Sequence, residues 1–323
     1  MQTLYIDQKG CRLSADRDRL LVHSALTARP LSVGLACINS VVISAKTELC
    51  SQVLLACAKN KVAVLIIDSR RCENHVQFVP TATKVVARKI KQFEFCQHSE
   101  MRLACTQKLV IHQFSKQLRL LNRWQQADRL SLLRYESSGQ VFTQLHASVL
   151  TAKNLEELRG LEGAGTRQLY QGLIEVSPPW CRFSGRNRRP PKDPLNVLLS
   201  LSFVLMHDLC VRALQAQSFD PMFGFYHEPL HGRYSLACDL LECLRPQVVR
   251  FVLELVWSEQ LKPADFAHGE ARPCLLKKTG RAKFYAQWHL HQRIWSRYAR
   301  ALVAHWAKQL DRPATSGLLS ADD

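Results

Sequence analysis

Val62-Ala63-Val64-Leu65-Ile66-Ile67, running on to Pro80, is where this chain changes its period. Upstream, short runs rich in β-branched residues alternate with polar breaks, as in Leu4-Tyr5-Ile6, Leu20-Leu21-Val22 and Val41-Val42-Ile43, the pattern of strands. One segment departs from it. Between Glu48 and Asn60, Leu49, Val53, Ala56 and Cys57 fall at helical spacing, so a single helix is expected among the strands. From about Thr83 onward the period becomes 3.6, and neither Pro nor Gly interrupts Val85 to Glu136. The fold class predicted is α+β: a small β-rich N-terminal domain over residues 1–80, then a larger all-α domain over 81–314. The small, polar stretch 315–323 is expected to be a disordered tail.

Composition agrees with two domains, since 323 residues exceed the roughly 250–300 at which single cores stop growing. Hydrophobic content of 47% with 22% charged residues is ordinary for a globular protein. No uninterrupted apolar run reaches the roughly 18 residues of a membrane span. The start, Met1-Gln2-Thr3-Leu4-Tyr5-Ile6-Asp7, lacks the basic flank and cleavage site of a secretory leader. A cytoplasmic protein with no membrane partner is expected. The twelve cysteines contain no Cys-x-x-Cys pair and read as small buried hydrophobes in a reducing compartment.

The formal charge of +17 points to a polyanionic partner, most simply nucleic acid. Its distribution is uneven. No acidic residue stands between Glu270 and Asp311, where Arg272, Lys277, Lys278, Arg281, Lys283, Arg293, Arg297, Arg300 and Lys308 all fall, and Glu100 to Asp128 carries only basic charges. A loop from Ser177-Pro178-Pro179-Trp180 to Arg189-Pro190-Pro191-Lys192-Asp193-Pro194 adds Arg182, Arg186, Arg188, Arg189 and Lys192 without an acid among them.

Asp193 is placed to cap the next helix, with Pro194 at its first position, and Leu195 to about Ala216 is apolar nearly all round, so this helix should form the core. His207 and Asp208 inside it point about 100° apart and read as hydrogen-bonding residues at the core's edge. The last helix, about Phe284 to Leu310, sets His291, Trp295, Tyr298, Leu302 and Trp306 on one stripe, read as core. Arg293, Arg297 and Arg300 occupy another, either a phosphate-facing ridge or a solvated face.

Two clusters offer chemistry. Asn154 and Glu157 have the spacing of a capping box, after which Leu155, Leu158, Glu162, Gly165, Leu169 and Leu173 share a stripe. Glu162 on an apolar side must be paired, protonated or bound to a cation; a salt bridge to Arg159 or Arg167 would serve as well as a metal. Gly163 and Gly165 weaken a helix unless something approaches closely there. The second cluster is Gly224-Phe225-Tyr226-His227-Glu228-Pro229-Leu230-His231-Gly232-Arg233, a loop feeding a helix for which Ser235 is the expected N-cap. Asp239 and Glu242, three apart, project from one face and either share a cation or are simply solvated. Two carboxylates and one imidazole suit Mg²⁺ or Mn²⁺, with Zn²⁺ open by ligand type. There is no His-Glu-x-x-His helix and no Gly-x-x-x-x-Gly-Lys-[Ser/Thr] loop.

Taken together, Leu158-Arg159-Gly160-Leu161-Glu162-Gly163, Arg189-Pro190-Pro191-Lys192-Asp193-Pro194-Leu195-Asn196, Gly224-Phe225-Tyr226-His227 and Gly232-Arg233-Tyr234-Ser235-Leu236-Ala237-Cys238-Asp239-Leu240-Leu241-Glu242 resemble the CRISPR spacer integrases, the family of CRISPR-associated protein one. The resemblance implies a β-rich N-terminal domain for dimerisation and partner contacts, and a helical catalytic domain. It implies metal ligands at Glu162, His227 and Glu242, with Asp239 a further acidic position needed for activity. It also implies a homodimer, two of which flank a dimer of CRISPR-associated protein two on double-stranded DNA, both spacer fragment and repeat. Relatives commonly carry Ala where this chain has Gly165, and Asn-Ala-Leu-Leu-Asn where it has Asn196-Val197-Leu198-Leu199-Ser200.

The reaction implied is metal-dependent transesterification, in which a 3′-hydroxyl of captured DNA attacks phosphorus at the edge of a CRISPR repeat; water in its place gives endonuclease cutting. Arg182, Arg186, Arg188, Arg189, Lys192, Arg233, Arg293, Arg297 and Arg300 are the expected DNA contacts. The rival readings are a metal-dependent, structure-specific nuclease of DNA repair and a catalytically silent DNA-binding scaffold.

Overall fold

The structure, a computed structural model, describes residues 2–80, 85–187, 190–269 and 272–311. The N-terminal region is strand-rich, as its alternation requires. In one sheet β1 (Gln2–Ile6), β5 (Ile38–Ile43) and β7 (Ala63–Ile67) run parallel in that spatial order, and β8 (His75–Phe78) pairs antiparallel at the edge beside β7. In the other, β4 (Leu31–Gly34), β3 (Arg19–His23) and β2 (Cys11–Asp16) are antiparallel neighbours, and β6 (Thr47–Leu49) lies parallel to β2. Leu13, Leu20, Leu35, Val41 and Val64 pack between these layers with Val53 and Cys57 of α1 (Ser51–Lys59), the one helix expected here. Val42, Leu65 and Ile67 point the other way and join the core of the helical region. The apolar run 62–67 thus serves two cores, which is why it does not alternate.

The helical region comprises α2 (Val86–Gln97), α3 (Ser99–Gln126), α4 (Leu132–Thr151), α5 (Leu155–Val176), α6 (Pro194–Ala216), α7 (Ser235–Trp257) and α8 (Lys278–Asp311). Asp193 caps α6 as its sequence suggests, its Oδ1 accepting the Asn196 N–H at 2.9 Å. By length and a mean hydropathy of 1.8, α6 could cross a bilayer, but 72% of that window is buried inside the fold. Leu195, Leu198, Leu199, Met206 and Cys210 within it are fully enclosed. Its apolarity is that of a core helix wrapped by α7 and α8.

The second part is mostly helical, as expected, with one short addition. Strands β9 (Phe266–Gly269) and β10 (Arg272–Leu276) form an antiparallel hairpin between α7 and α8. The Cys274 N–H donates to the Pro191 carbonyl at 3.0 Å, tying the hairpin to the loop before α6. The last helix also starts earlier than expected, at Lys278. A Cβ on Gly280 would come within 2.6 Å of a Leu276 methyl, so only glycine lets this first turn press on the hairpin.

The two regions are joined by specific polar and aromatic contacts. Tyr5 stacks on Tyr285 with ring centroids 4.9 Å apart, and Arg281 Nε reaches Asp7 Oδ1 at 2.7 Å. Asp208 accepts from Gln77 Nε2 at 2.6 Å and from Arg212 Nε at 2.9 Å. This is the structural, core-edge role expected of Asp208. All twelve cysteines are free thiols.

Candidate active site

Three helices and one loop converge on the acidic residues singled out above. Asn154 caps α5, its side chain accepting the Glu157 N–H at 2.9 Å, while Glu157 reaches back to the Lys153 N–H at 2.7 Å. That start turns Leu158, Gly165, Leu169 and Leu173 inward, with Glu162 half-buried on their flank. A Cβ on Gly165 would lie 2.3 Å from the Phe114 ring and one on Gly172 2.6 Å from Leu121, so α3 sits unusually close to α5. Gly163 meets nothing within 4 Å.

This close approach delivers Gln113 of α3, which is wholly buried, to the site. Its Nε2 donates to Glu162 Oε1 at 2.8 Å and to Glu242 Oε2 at 3.1 Å, so one amide bridges carboxylates of α5 and α7. Thr166 donates to the same Glu162 oxygen at 2.7 Å. The salt-bridge alternative for Glu162 is therefore not the one realised with Arg159, whose guanidinium lies 3.1 Å from Glu228 instead. Glu242 is 5% exposed and is gripped side-on by the Nε and Nη2 groups of Arg245, with Nε at 2.6 Å. Burial alone would disfavour the Arg245 charge, but the Glu242 carboxylate more than offsets this and holds it protonated.

Asp239 does something different from its neighbour. Fully buried, it accepts the backbone N–H of Phe225 at 2.7 Å and of Tyr226 at 3.0 Å on Oδ2. Its Oδ1 takes the His227 N–H at 2.9 Å and His227 Nδ1 at 2.6 Å. Of the two alternatives for the pair, a shared cation or a solvated face, the solvated face is not what forms, since both side chains are buried; the Asp239 carboxylate is filled by the loop, and Glu242 faces Gln113 and Arg245. Gly224 is obligatory for this clamp, because its Cβ would stand 2.7 Å from the His227 carbonyl and 2.8 Å from Asp239 Oδ2. Ser235 begins α7 rather than capping it; its hydroxyl donates to the Glu228 carbonyl at 2.8 Å and holds the loop's far end.

A carboxylate can only accept, so His227 donates from Nδ1, which leaves Nε2 out of the Asp239 bond, the usual setting of a metal-binding imidazole. Tyr226 links the two halves. Its ring packs against His227 with centroids 4.8 Å apart, and burial followed by the Glu162 and Glu242 carboxylates pushes its phenol well above the ordinary range. Two carboxylates and an imidazole nitrogen fit a hard divalent ion by their chemistry. Among the described residues, no three His, Cys, Asp or Glu side chains stand close enough together to hold a metal ion. Gln113 instead occupies the space between Glu162 and Glu242.

The expected DNA contacts divide. Arg182, Lys192, Arg293, Arg297 and Arg300 are exposed, Arg182 at a left-handed φ of 49°. Arg186 is turned inward, against expectation: it hydrogen-bonds Asn196 Oδ1 at 2.8 Å and Ser200 Oγ at 3.0 Å and lies 5.8 Å from the Phe203 ring centroid. Arg233 is half-buried and close to Cys238. Arg188 and Arg189 lie outside the described residues. Gln113, Thr166 and Arg245 escaped the sequence reading.

A family model described as CRISPR associated protein Cas1 matches residues 4–289. A CRISPR-associated endonuclease Cas1 of Thermodesulfovibrio yellowstonii is 30% identical over 301 residues, covering 91% of this chain and 94% of that one. Among solved structures, a CAS1 protein from Thermotoga maritima has a TM-score of 0.86 at 19% identity, over 99% of this chain and 100% of that one. A casposase bound to integration product has a TM-score of 0.81 at 20% identity, over 97% and 92%.

Proposed function

Because this chain belongs to the Cas1 family of CRISPR-associated proteins, we propose that it is a CRISPR adaptation integrase and DNA endonuclease. It joins the 3′-hydroxyl ends of captured spacer DNA to the CRISPR repeat. The observation that carries this reading is the meeting of Glu162 and Glu242 at one buried amide, Gln113, beside a loop whose His227 is set by Asp239. Glu162, His227 and Glu242 are the residues that would hold Mg²⁺ or Mn²⁺ once drawn together, and the ion would offset charge on the phosphoryl oxygens and ease ionisation of the attacking hydroxyl. Asp239 fixes the His227 ring and the loop backbone, so that Nε2 is presented in one orientation. Gln113 keeps the two carboxylates in register, and Arg245 lowers the repulsion that a phosphodiester meets on approaching them.

In the joining step the incoming 3′-hydroxyl loses its proton and its oxygen bonds to the repeat phosphorus, while the bond from phosphorus to the outgoing 3′-oxygen breaks and that oxygen takes up a proton to leave as a new 3′-hydroxyl. Water as the incoming group gives cutting. Residues 1–80 form the contact domain for a homodimer and for CRISPR-associated protein two, and residues 81–314 the catalytic domain. Incubation with a 3′-hydroxyl duplex and a supercoiled repeat-bearing plasmid, with and without chelator, tests the reading. Joined product that disappears with chelator is expected; nicking without joined product under any partner condition favours the repair nuclease.

A further inference from the structure

The acid-free stretch between Glu100 and Asp128 folds into α3, and the site absorbs only one of its faces. Gln113 and Gln117 are wholly buried toward α5 and α7. On the adjoining face, His112, Lys116, Arg119 and Arg123 succeed one another at steps of four, three and four residues, which is a single helical row. The row's inner end is built against α8. His112 Nε2 lies 3.0 Å from the Tyr298 hydroxyl, and Lys116 Nζ lies 5.3 Å from the Tyr298 ring centroid. Arg119 and Arg123 continue the row as exposed side chains.

No carboxylate among the described residues pairs with any of the four; the ion pair made by α3 is Arg102 with Glu228. The positive groups therefore face one another. Lys116 is held below its ordinary range by burial and then by Arg119, and His112 by burial and then by Lys116 and Arg119. Such crowding is relieved by a bound polyanion. The row also begins next to the chemistry: His112 directly precedes Gln113, whose amide bridges Glu162 and Glu242. From His112 to Arg123 the row runs roughly 16 Å along the helix axis, about the axial length of five nucleotides of one strand at about 3.4 Å each.

We propose that His112, Lys116, Arg119 and Arg123 form a phosphate-tracking row that carries one strand of DNA along the α3–α8 seam to the acidic pair. This rests on the DNA-joining function above and names where the strand runs. The test is the salt dependence of equilibrium binding to a fluorescent duplex, measured by anisotropy in chelator so that no strand is cut or joined. For the triple variant Lys116→Gln, Arg119→Gln, Arg123→Gln, the log–log slope should shrink by about 2.7, at about 0.9 for each phosphate no longer neutralised. Because Lys116 is half-buried, the double variant Arg119→Gln, Arg123→Gln provides a second reading, with a decrease of about 1.8. A charge-matched variant of exposed N-terminal residues, Lys9→Gln, Arg29→Gln, Lys61→Gln, should leave the slope nearly unchanged. An unchanged slope in the row variants, or an equal decrease in the N-terminal one, overturns the row while leaving the function intact. Absence of duplex binding by the unaltered protein removes the function itself.

Discussion

His227 donates its Nδ1 proton to Asp239 across 2.6 Å, and its backbone N–H adds a second bond of 2.9 Å to the same carboxylate oxygen. One buried acid thereby fixes a ring and the loop that bears it. Asp239→Asn keeps the shape but replaces one acceptor oxygen with a donor that opposes the loop's N–H groups. Metal affinity should fall about 10–100-fold, as when other partners of a ligating imidazole are removed. Stability should fall by roughly 2–4 kcal/mol, from weakened bonds to a charged acceptor. Mn²⁺ titration and urea unfolding measure the two effects, and unchanged Mn²⁺ affinity would separate Asp239 from the His227 ligand role.

Gln113 is a neutral side chain that touches both Glu162 and Glu242. Gln113→Leu preserves bulk but withdraws the shared donor, leaving two partly buried carboxylates to repel each other. Mn²⁺ binding and joining should each weaken by about tenfold, corresponding to roughly 1.4 kcal/mol for the missing charged hydrogen bonds. Duplex affinity in chelator should stay level. A parallel fall in duplex affinity would show general damage rather than a positioning role.

The two glycines beside Glu162 differ in what surrounds them. Gly165→Ala drives a methyl into Phe114, 2.3 Å away, and should destabilise the chain by about 1–3 kcal/mol. Gly163→Ala meets open space and should stabilise α5 by about 0.5–1 kcal/mol. Opposite shifts of the thermal midpoint are expected. A stabilising Gly165→Ala would contradict the close packing of α3 on α5.

Much of this architecture is legible in sequence because its signals are local. The change from alternation to a 3.6 period near Pro80 separates strands from helices, and Asp193-Pro194 marks the start of α6 to the residue. The hairpin Phe266–Leu276 is not legible, since its pairing is a relation between two short segments without a tight-turn signature. Asp239 and Glu242 look equivalent at a spacing of three residues; only the loop folding back over α7 assigns one to His227 and leaves the other for Gln113. Gln113 itself reads as one polar residue on a basic helix until α5 and α7 enclose it. Arg186 reads as a loop cation for the same reason, its partners Asn196, Ser200 and Phe203 becoming neighbours only when α6 forms.

His207 gives the fold an acid-sensitive joint. Burial, and next the His75 ring 6.4 Å away, lower its pKa to about 4. Between that value and the ordinary histidine range the unfolded chain binds the extra proton and the folded chain does not. Stability is therefore complete at neutral pH and declines as pH falls from about 6.5 toward 4. Because His207 is not fully enclosed, the decline should amount to about 1–2 kcal/mol. Urea midpoints at pH 7.5 and 5 for the unaltered protein and His207→Phe test this; the variant should show a shallower decline, and an identical one would place the sensitive group elsewhere.

The most direct test of the central claim is joining by Glu162→Gln, an isosteric change that removes a ligand charge at the carboxylate Gln113 bridges to Glu242. Labelled 3′-hydroxyl duplex is incubated with repeat-bearing plasmid and Mn²⁺, and joined product is counted beside duplex affinity in chelator. The expected result is joined product reduced by at least about a hundredfold, roughly 2.7 kcal/mol in the barrier, with duplex affinity nearly unchanged. Joined product at the level of the unaltered protein would contradict the assignment of Glu162 to the metal-dependent joining site.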